Sequence, residues 1–129
     1  MSWRPARSIS KLRDQVNARW PKRSRKSDGI IGDLAHSRRA SDHNPVRGVV
    51  HAIDLTHSPA TGLDVHALAD RMLASRDPRI KYLISNRRIG SAKTGWRWNR
   101  YSGSNPHSGH LHVSVHLAPR ADDIKEWRI

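Results

Sequence analysis

The chain has 129 residues, with 24 Lys and Arg against 11 Asp and Glu and a formal net charge of +13. That length suits one compact domain spanning 1–129, and 36% hydrophobic residues supply one modest core, which excludes a large multi-domain enzyme. No cysteine is present, so disulfides, thiolate nucleophiles, iron–sulfur clusters and Cys-bound zinc are excluded, and any metal must be held by His and carboxylate. No run approaches the roughly 18 apolar residues of a membrane span, and the start MSWRPARSIS lacks the apolar stretch of a secretory signal, so the expectation is a soluble chain made in the cytoplasm.

In chain order, Ile9, Leu12 and Val16 fall at helical spacing and predict an amphipathic helix over 8–19, with Ser8 or Ser10 available as its cap. Residues 21–29 have no apolar period, carry Lys22, Arg23, Arg25 and Lys26 and end in Asp-Gly, which reads as a basic loop. A long loop over 31–48 then feeds a β-branched strand at 49–55. Val65, Leu68, Ala69, Met72 and Leu73 mark a second helix, about 63–76, that stops before Pro78. Strands are expected at 81–85 and 95–99, a loop at 102–109, and a last strand at 110–117, where Leu111, Val113, Val115 and Leu117 face a core. The fold class that results is α+β: a small antiparallel sheet with both helices on one side and a cleft on the other.

The nine histidines are the informative part of the composition. On the last strand His110, His112, Ser114 and His116 share the face opposite the core, neighbours standing about 7 Å apart, and His107 lies just upstream. Asp54 sits in an otherwise apolar strand, where an ionised carboxylate needs a cation, a metal or hydrogen-bond donors. An arginine partner would serve; so would a metal, if the turn-rich Ser41-Asp42-His43-Asn44-Pro45 folds His43 back beside Asp54. Two imidazoles, one carboxylate and a position left to water make the inventory of a catalytic zinc centre, and a further strand histidine would be free to move protons. His57 and His66 read as surface residues, and His116 lies roughly 13 Å from His112, too far for one metal shell. Trp98 reads as core packing.

The pattern Ser41-x-His43, Ala52-Ile53-Asp54 and His107-x-x-His110-x-His112 resembles the zinc peptidases of the peptidoglycan-cleaving superfamily that joins D-Ala-D-Ala peptidases, lysostaphin-type enzymes and hedgehog domains. Its His-x-x-His-x-His spacing is similar to the penicillin-insensitive murein endopeptidases. The run Asp28-Gly29-Ile30-Ile31-Gly32-Asp33, His36, Ser41 to Pro45, Gly48-Val49-Val50, Ala52-Ile53-Asp54 and Asn105-Pro106-His107 through Val115 is similar to the peptidase domain of actinobacteriophage endolysins, over roughly residues 8–127. The resemblance implies a hedgehog/D-Ala-D-Ala peptidase-like fold, one Zn2+ per chain held by His43, Asp54 and His112, and His110 and His107 as the catalytic pair. It also implies hydrolysis of an amide in a stem peptide or cross-bridge by metal-activated water, with His36, Ser41 and Tyr101 candidate substrate contacts. One departure is the turn Asn44 to Gly48: the family sets its first histidine and its aspartate closer together than the eleven positions from His43 to Asp54 here. The only glutamate is Glu126, outside both motifs, so a glutamate base is not expected.

The positive balance predicts a polyanionic partner, and charge alone would favour a nucleic-acid-binding module, with Trp96-Arg97-Trp98-Asn99-Arg100 suited to phosphate contact and base stacking. A His-metal nuclease around Asp42-His43 is the other rival, but it needs its metal on a strand-turn-helix hairpin, and here the second histidine set lies in a strand far along the chain. A bacterial wall also carries fixed anions, so the basic surface is expected to hold the enzyme on anionic wall polymers. Self-repulsion favours a monomer. With no signal, the chain is expected to accumulate in the host cytoplasm and to reach the wall at lysis.

Overall fold

Strand β7, His110–Val115, is the axis of the structure, a computed structural model that describes residues 2–31 and 41–129. It pairs antiparallel on both edges, with β3 (Ala52–Thr56) on one side and β4 (Ile80–Ser85) on the other, and β5 (Arg88–Gly90) and β6 (Asn99–Arg100) extend the sheet to the order β3-β7-β4-β5-β6. Being internal, β7 presents both faces to structure. Leu111, Val113 and Val115 enter the core, while His110, His112 and Ser114 face the other way. The fold is therefore α+β, with a small five-stranded antiparallel sheet and, among the described residues, two α-helices.

Helix α1, Arg7–Arg19, buries Ile9, Leu12 and Val16 as its period predicts. Its cap differs from expectation. Ala6 holds the N-cap position without a side-chain bond, Ser8 is buried, and the free Arg7 N–H is taken by Asp122 at 2.9 Å, which also grips Arg4. Helix α2, Val65–Ser75, is capped by Asp64, whose carboxylate accepts from the His66 and Ala67 amides. Both helices pack their apolar stripes on the Ile53, Leu55, Leu111 and Val113 face, and the chain end closes over them with Trp127, whose indole N–H reaches the Ser8 carbonyl.

Four further expectations are corrected. The strand at 49–55 is two strands: β2 (Val49–Val50) pairs parallel with β1 (Arg4–Pro5), and only from Ala52 does the chain join the main sheet. Residues 95–99 are not a strand, because Ala92–Thr94 form a 3-10 turn and Gly95 and Trp96 take positive φ, leaving only Asn99–Arg100 extended. Trp98 does pack on the core, close enough that a side chain at Gly90 would strike Leu73 and Trp98. The last strand ends at Val115, where its partners run out, so Leu117 is exposed. Finally, loop 21–29 is not uniformly a solvated basic face: Arg23 is buried and clasps Asp28 at 2.7 Å, and Asp28 in turn accepts from the Thr56 amide and hydroxyl. No described helix is long and apolar enough to cross a membrane.

Candidate metal centre

Asp54 and His112 stand opposite each other on β3 and β7, on the sheet face away from the helices. Register makes this pair, since Asp54 projects from the non-core side of β3 and His112 from that of β7. His43 arrives from a turn in which the Asn44 amide donates to the Ser41 carbonyl and the His43 amide to Ser41 Oγ. The longer spacing before Asp54 is absorbed by a turn with Arg47 and Gly48 at positive φ, closed by the Val46–Val49 bridge. Segment 28–30 supports the same place. Gly29 exchanges two backbone bonds with Asp54, and the Ile30 carbonyl accepts from His43 Nδ1 at 2.7 Å.

The donor atoms of three residues converge. His43 Nε2 lies 3.2 Å from Asp54 Oδ2 and 3.2 Å from His112 Nδ1, and His112 Nδ1 lies 3.0 Å from Asp54 Oδ1. With His43 Nδ1 committed to the Ile30 carbonyl, its Nε2 carries a lone pair aimed at a carboxylate oxygen, an arrangement that holds only with a proton or a cation between the atoms. Burial raises the Asp54 carboxyl, but bonds from His112 and His43 outweigh it and hold Asp54 far below the ordinary carboxylate range. Burial likewise opposes charge on His43, yet Asp54 leaves it raised. The cluster is built to hold positive charge.

A metal ion fits that demand. Ligand bonds of about 2.0–2.2 Å in a tetrahedron put donors roughly 3.3–3.5 Å apart, within a few tenths of an ångström of the spacings here. The outer partners agree, since His43 Nδ1 has its carbonyl and His112 Nε2 meets Ser114 Oγ at 2.7 Å, each ring bonded on the side away from the cluster. Asp42, in the turn that carries His43, is held by Lys81 of β4 at 3.0 Å. His43, Asp54 and His112 can thus hold a metal ion.

A second group shares the carboxylate: His107, His110 and Asp54 also offer donors in reach of one another, His110 Nε2 lying 3.7 Å from Asp54 Oδ1. His107 is in the left-handed region, φ 54°, fixed by Asn105, whose side chain takes its amide at 3.0 Å and whose carbonyl takes Nδ1 at 2.7 Å. Its ring meets those of His110 and His112 edge-on, at 4.7 and 5.8 Å between centroids. Burial pushes His107 down to about 4, and burial also lowers His110, so both rings are neutral at pH 7.

These residues line a cleft of about 470 Å³ together with Ser41 and Tyr101. Six of the predicted site residues are therefore brought to one place with Tyr101, while His36 lies outside the described residues. His116 and His57 belong to neither donor group. His66 does more than sit on a surface: it ties Ser85 Oγ to the Ser108 carbonyl at 2.5 and 2.9 Å, anchoring the loop that carries His107. Sequence reasoning missed Tyr82, which stacks on His112 at 5.4 Å and whose phenol burial pushes up to about 12, and it missed the Ser114 bond to His112 Nε2 and the Asp42–Lys81 pair. Tyr82 reaches His112 only because β4 lies beside β7. Comparisons with protein-family models, with curated proteins and with solved structures give no match.

Proposed function

We propose that the protein is a zinc-dependent peptidoglycan peptidase of the phage-endolysin type, hydrolysing an amide of the stem peptide or cross-bridge. The observation that carries this reading is the convergence of His43, Asp54 and His112 at 3.0–3.2 Å on the wall of a cleft that also holds His107 and His110. His, His and Asp favour zinc over magnesium or calcium, which take all-oxygen sites. When bound, zinc polarises the scissile carbonyl and brings the pKa of its water toward about 7. His110, beside Asp54, takes a proton from the attacking water and returns it to the leaving amine. His107 has Nδ1 bound to the Asn105 carbonyl, so it offers Nε2 as an acceptor that orients the water. Tyr82, kept un-ionised, packs flat against His112 and fixes its plane. Ser41 and Tyr101 on the cleft rim would contact the peptide, and exposed Lys22, Arg25 and Lys26 would hold the enzyme on anionic wall polymers.

The test measures bound zinc and release of new amino groups from purified peptidoglycan, for wild type and His112→Ala. One zinc per chain and amine release, both lost in the variant, is the expected result. Absence of zinc and of amine release, with salt-sensitive DNA binding retained, would overturn it in favour of a nucleic-acid module.

A further inference from the structure

The cleft continues past Tyr101. Sharing Tyr101 and Ser104 with it, a second hollow of about 300 Å³ is lined by Arg87, Arg100, Gly103 and Pro106. Its walls are tied to the His107 loop: the Arg87 amide donates to the Pro106 carbonyl at 2.7 Å, the Arg87 carbonyl accepts from the Tyr101 amide at 2.8 Å, and the Asn86 amide donates to the His107 carbonyl at 2.9 Å. Tyr101 rests on Gly103 so closely that a Cβ there would collide with its hydroxyl. The hollow is thus positioned relative to His107 by backbone.

Charge is unbalanced at this point. Arg4, Arg23, Arg79 and Arg88 each meet a carboxylate, those of Asp122, Asp28, Asp77 and Asp70. Arg87 and Arg100 meet none among the described residues, and Arg100 stands directly opposite Arg88 across β5 and β6, so like charges crowd the hairpin. Unpaired arginine is common on so basic a surface; these two differ in lining a hollow that shares Tyr101 and Ser104 with the metal cleft. Arg87 also holds φ 66°, a conformation glycine or asparagine adopts at lower cost.

Resting on the peptidase reading, we propose that this hollow is a carboxylate subsite, in which Arg87 and Arg100 bind a carboxylate of the same peptide whose amide lies among His107, His110 and Asp54. The substrate is then an acidic peptide. Continuity with the cleft favours a carboxylate on the peptide over the phosphates of a separate polymer, and guanidinium forks match a carboxylate in paired hydrogen bonds.

The test uses the zinc-loaded full chain as wild type, Arg87→Gln, Arg100→Gln and the double variant. Soluble stem peptides are offered with carboxylates free, or converted to amides, and both amine release and calorimetric binding are read. Wild type is expected to favour the free acids in KM and in affinity by about 10-fold or more. Each single variant shrinks that ratio and the double variant brings it to about 1, with zinc still bound. Wild type indifferent to amidation, or a ratio that survives in the double variant, overturns the proposal. So does an effect confined to retention on phosphate-bearing walls, which would assign the arginines to the polymer. If neither peptide is cut, the peptidase reading fails on its own, and calorimetry still decides the subsite: preference for the free acid lost in the double variant supports it, and no preference sinks it.

Discussion

Around Arg79 every guanidinium N–H meets an acceptor, whereas around Asp54 imidazole nitrogens and carboxylate oxygens crowd together and need a proton or a cation between them. Arg79 is 2% exposed, yet Nε and Nη2 grip the Asp77 carboxylate, Nη1 reaches the Asp123 and Lys125 carbonyls, Nη2 also points at that of Glu126, and the Trp127 ring lies 3.8 Å from the guanidinium carbon. That cluster is complete within the chain. The Asp54 cluster brings two imidazole nitrogens and two carboxylate oxygens within 3.0–3.2 Å of one another. A buried polar cluster that closes on itself fastens a fold; one that leaves converging lone pairs is a place for a ligand.

The comparison can be broken from either side. The largest effect is expected at the closed cluster: Arg79→Met leaves Asp77 and three carbonyls without their donor and costs about 3–5 kcal/mol in denaturant unfolding. Zinc bound per folded chain stays unchanged, and a loss of zinc would show that the two clusters are not independent. Next, zinc at about 1,000 times its Kd raises the unfolding free energy of wild type by about 4 kcal/mol and that of Arg79→Met by the same increment, but leaves His112→Ala unmoved. Ser114→Ala removes the outer bond from His112 and lowers zinc affinity about 10–100-fold in chelator competition; equal affinity would show that Ser114 plays no part in orienting the ring.

Acid distinguishes the clusters more gently. Asp122 is held down to about 2, first by its bond to Arg4, and Asp28 and Asp77 lie below the ordinary range because Arg23 and Arg79 outweigh the effect of burial. Their folded-state values are depressed, so the unfolded chain binds more protons below about pH 4, and stability present above that pH is lost as pH falls toward about 2. Metal-free wild type should follow this course in acid titration, and Asp122→Asn should flatten it. The smallest effect is at the surface: reversing Lys22, Arg25 and Lys26 to Glu weakens retention on walls and its salt dependence. Arg23 must be left in place, because reversing it would break the pair with Asp28. Unchanged retention would remove that loop from wall binding.

What local pattern encodes was legible. The stripes of α1 and α2 and the alternation of β7 follow from spacing, because side-chain direction repeats within a few residues, and the short motifs around His43, Asp54 and His107 to His112 marked the residues that the fold brings together. Other features depend on residues far apart in sequence. Asp122 caps α1, Thr56 holds the Asp28 that clasps Arg23, the 49–55 run divides between two sheets, and Tyr82 reaches His112 only because β4 lies beside β7. The sequence by itself determined which side chains share a face and which groups can bind a metal. Only the tertiary structure decided which faces meet, because strand order and the pairing of distant charges are set by the packing of the whole core and not by any local period.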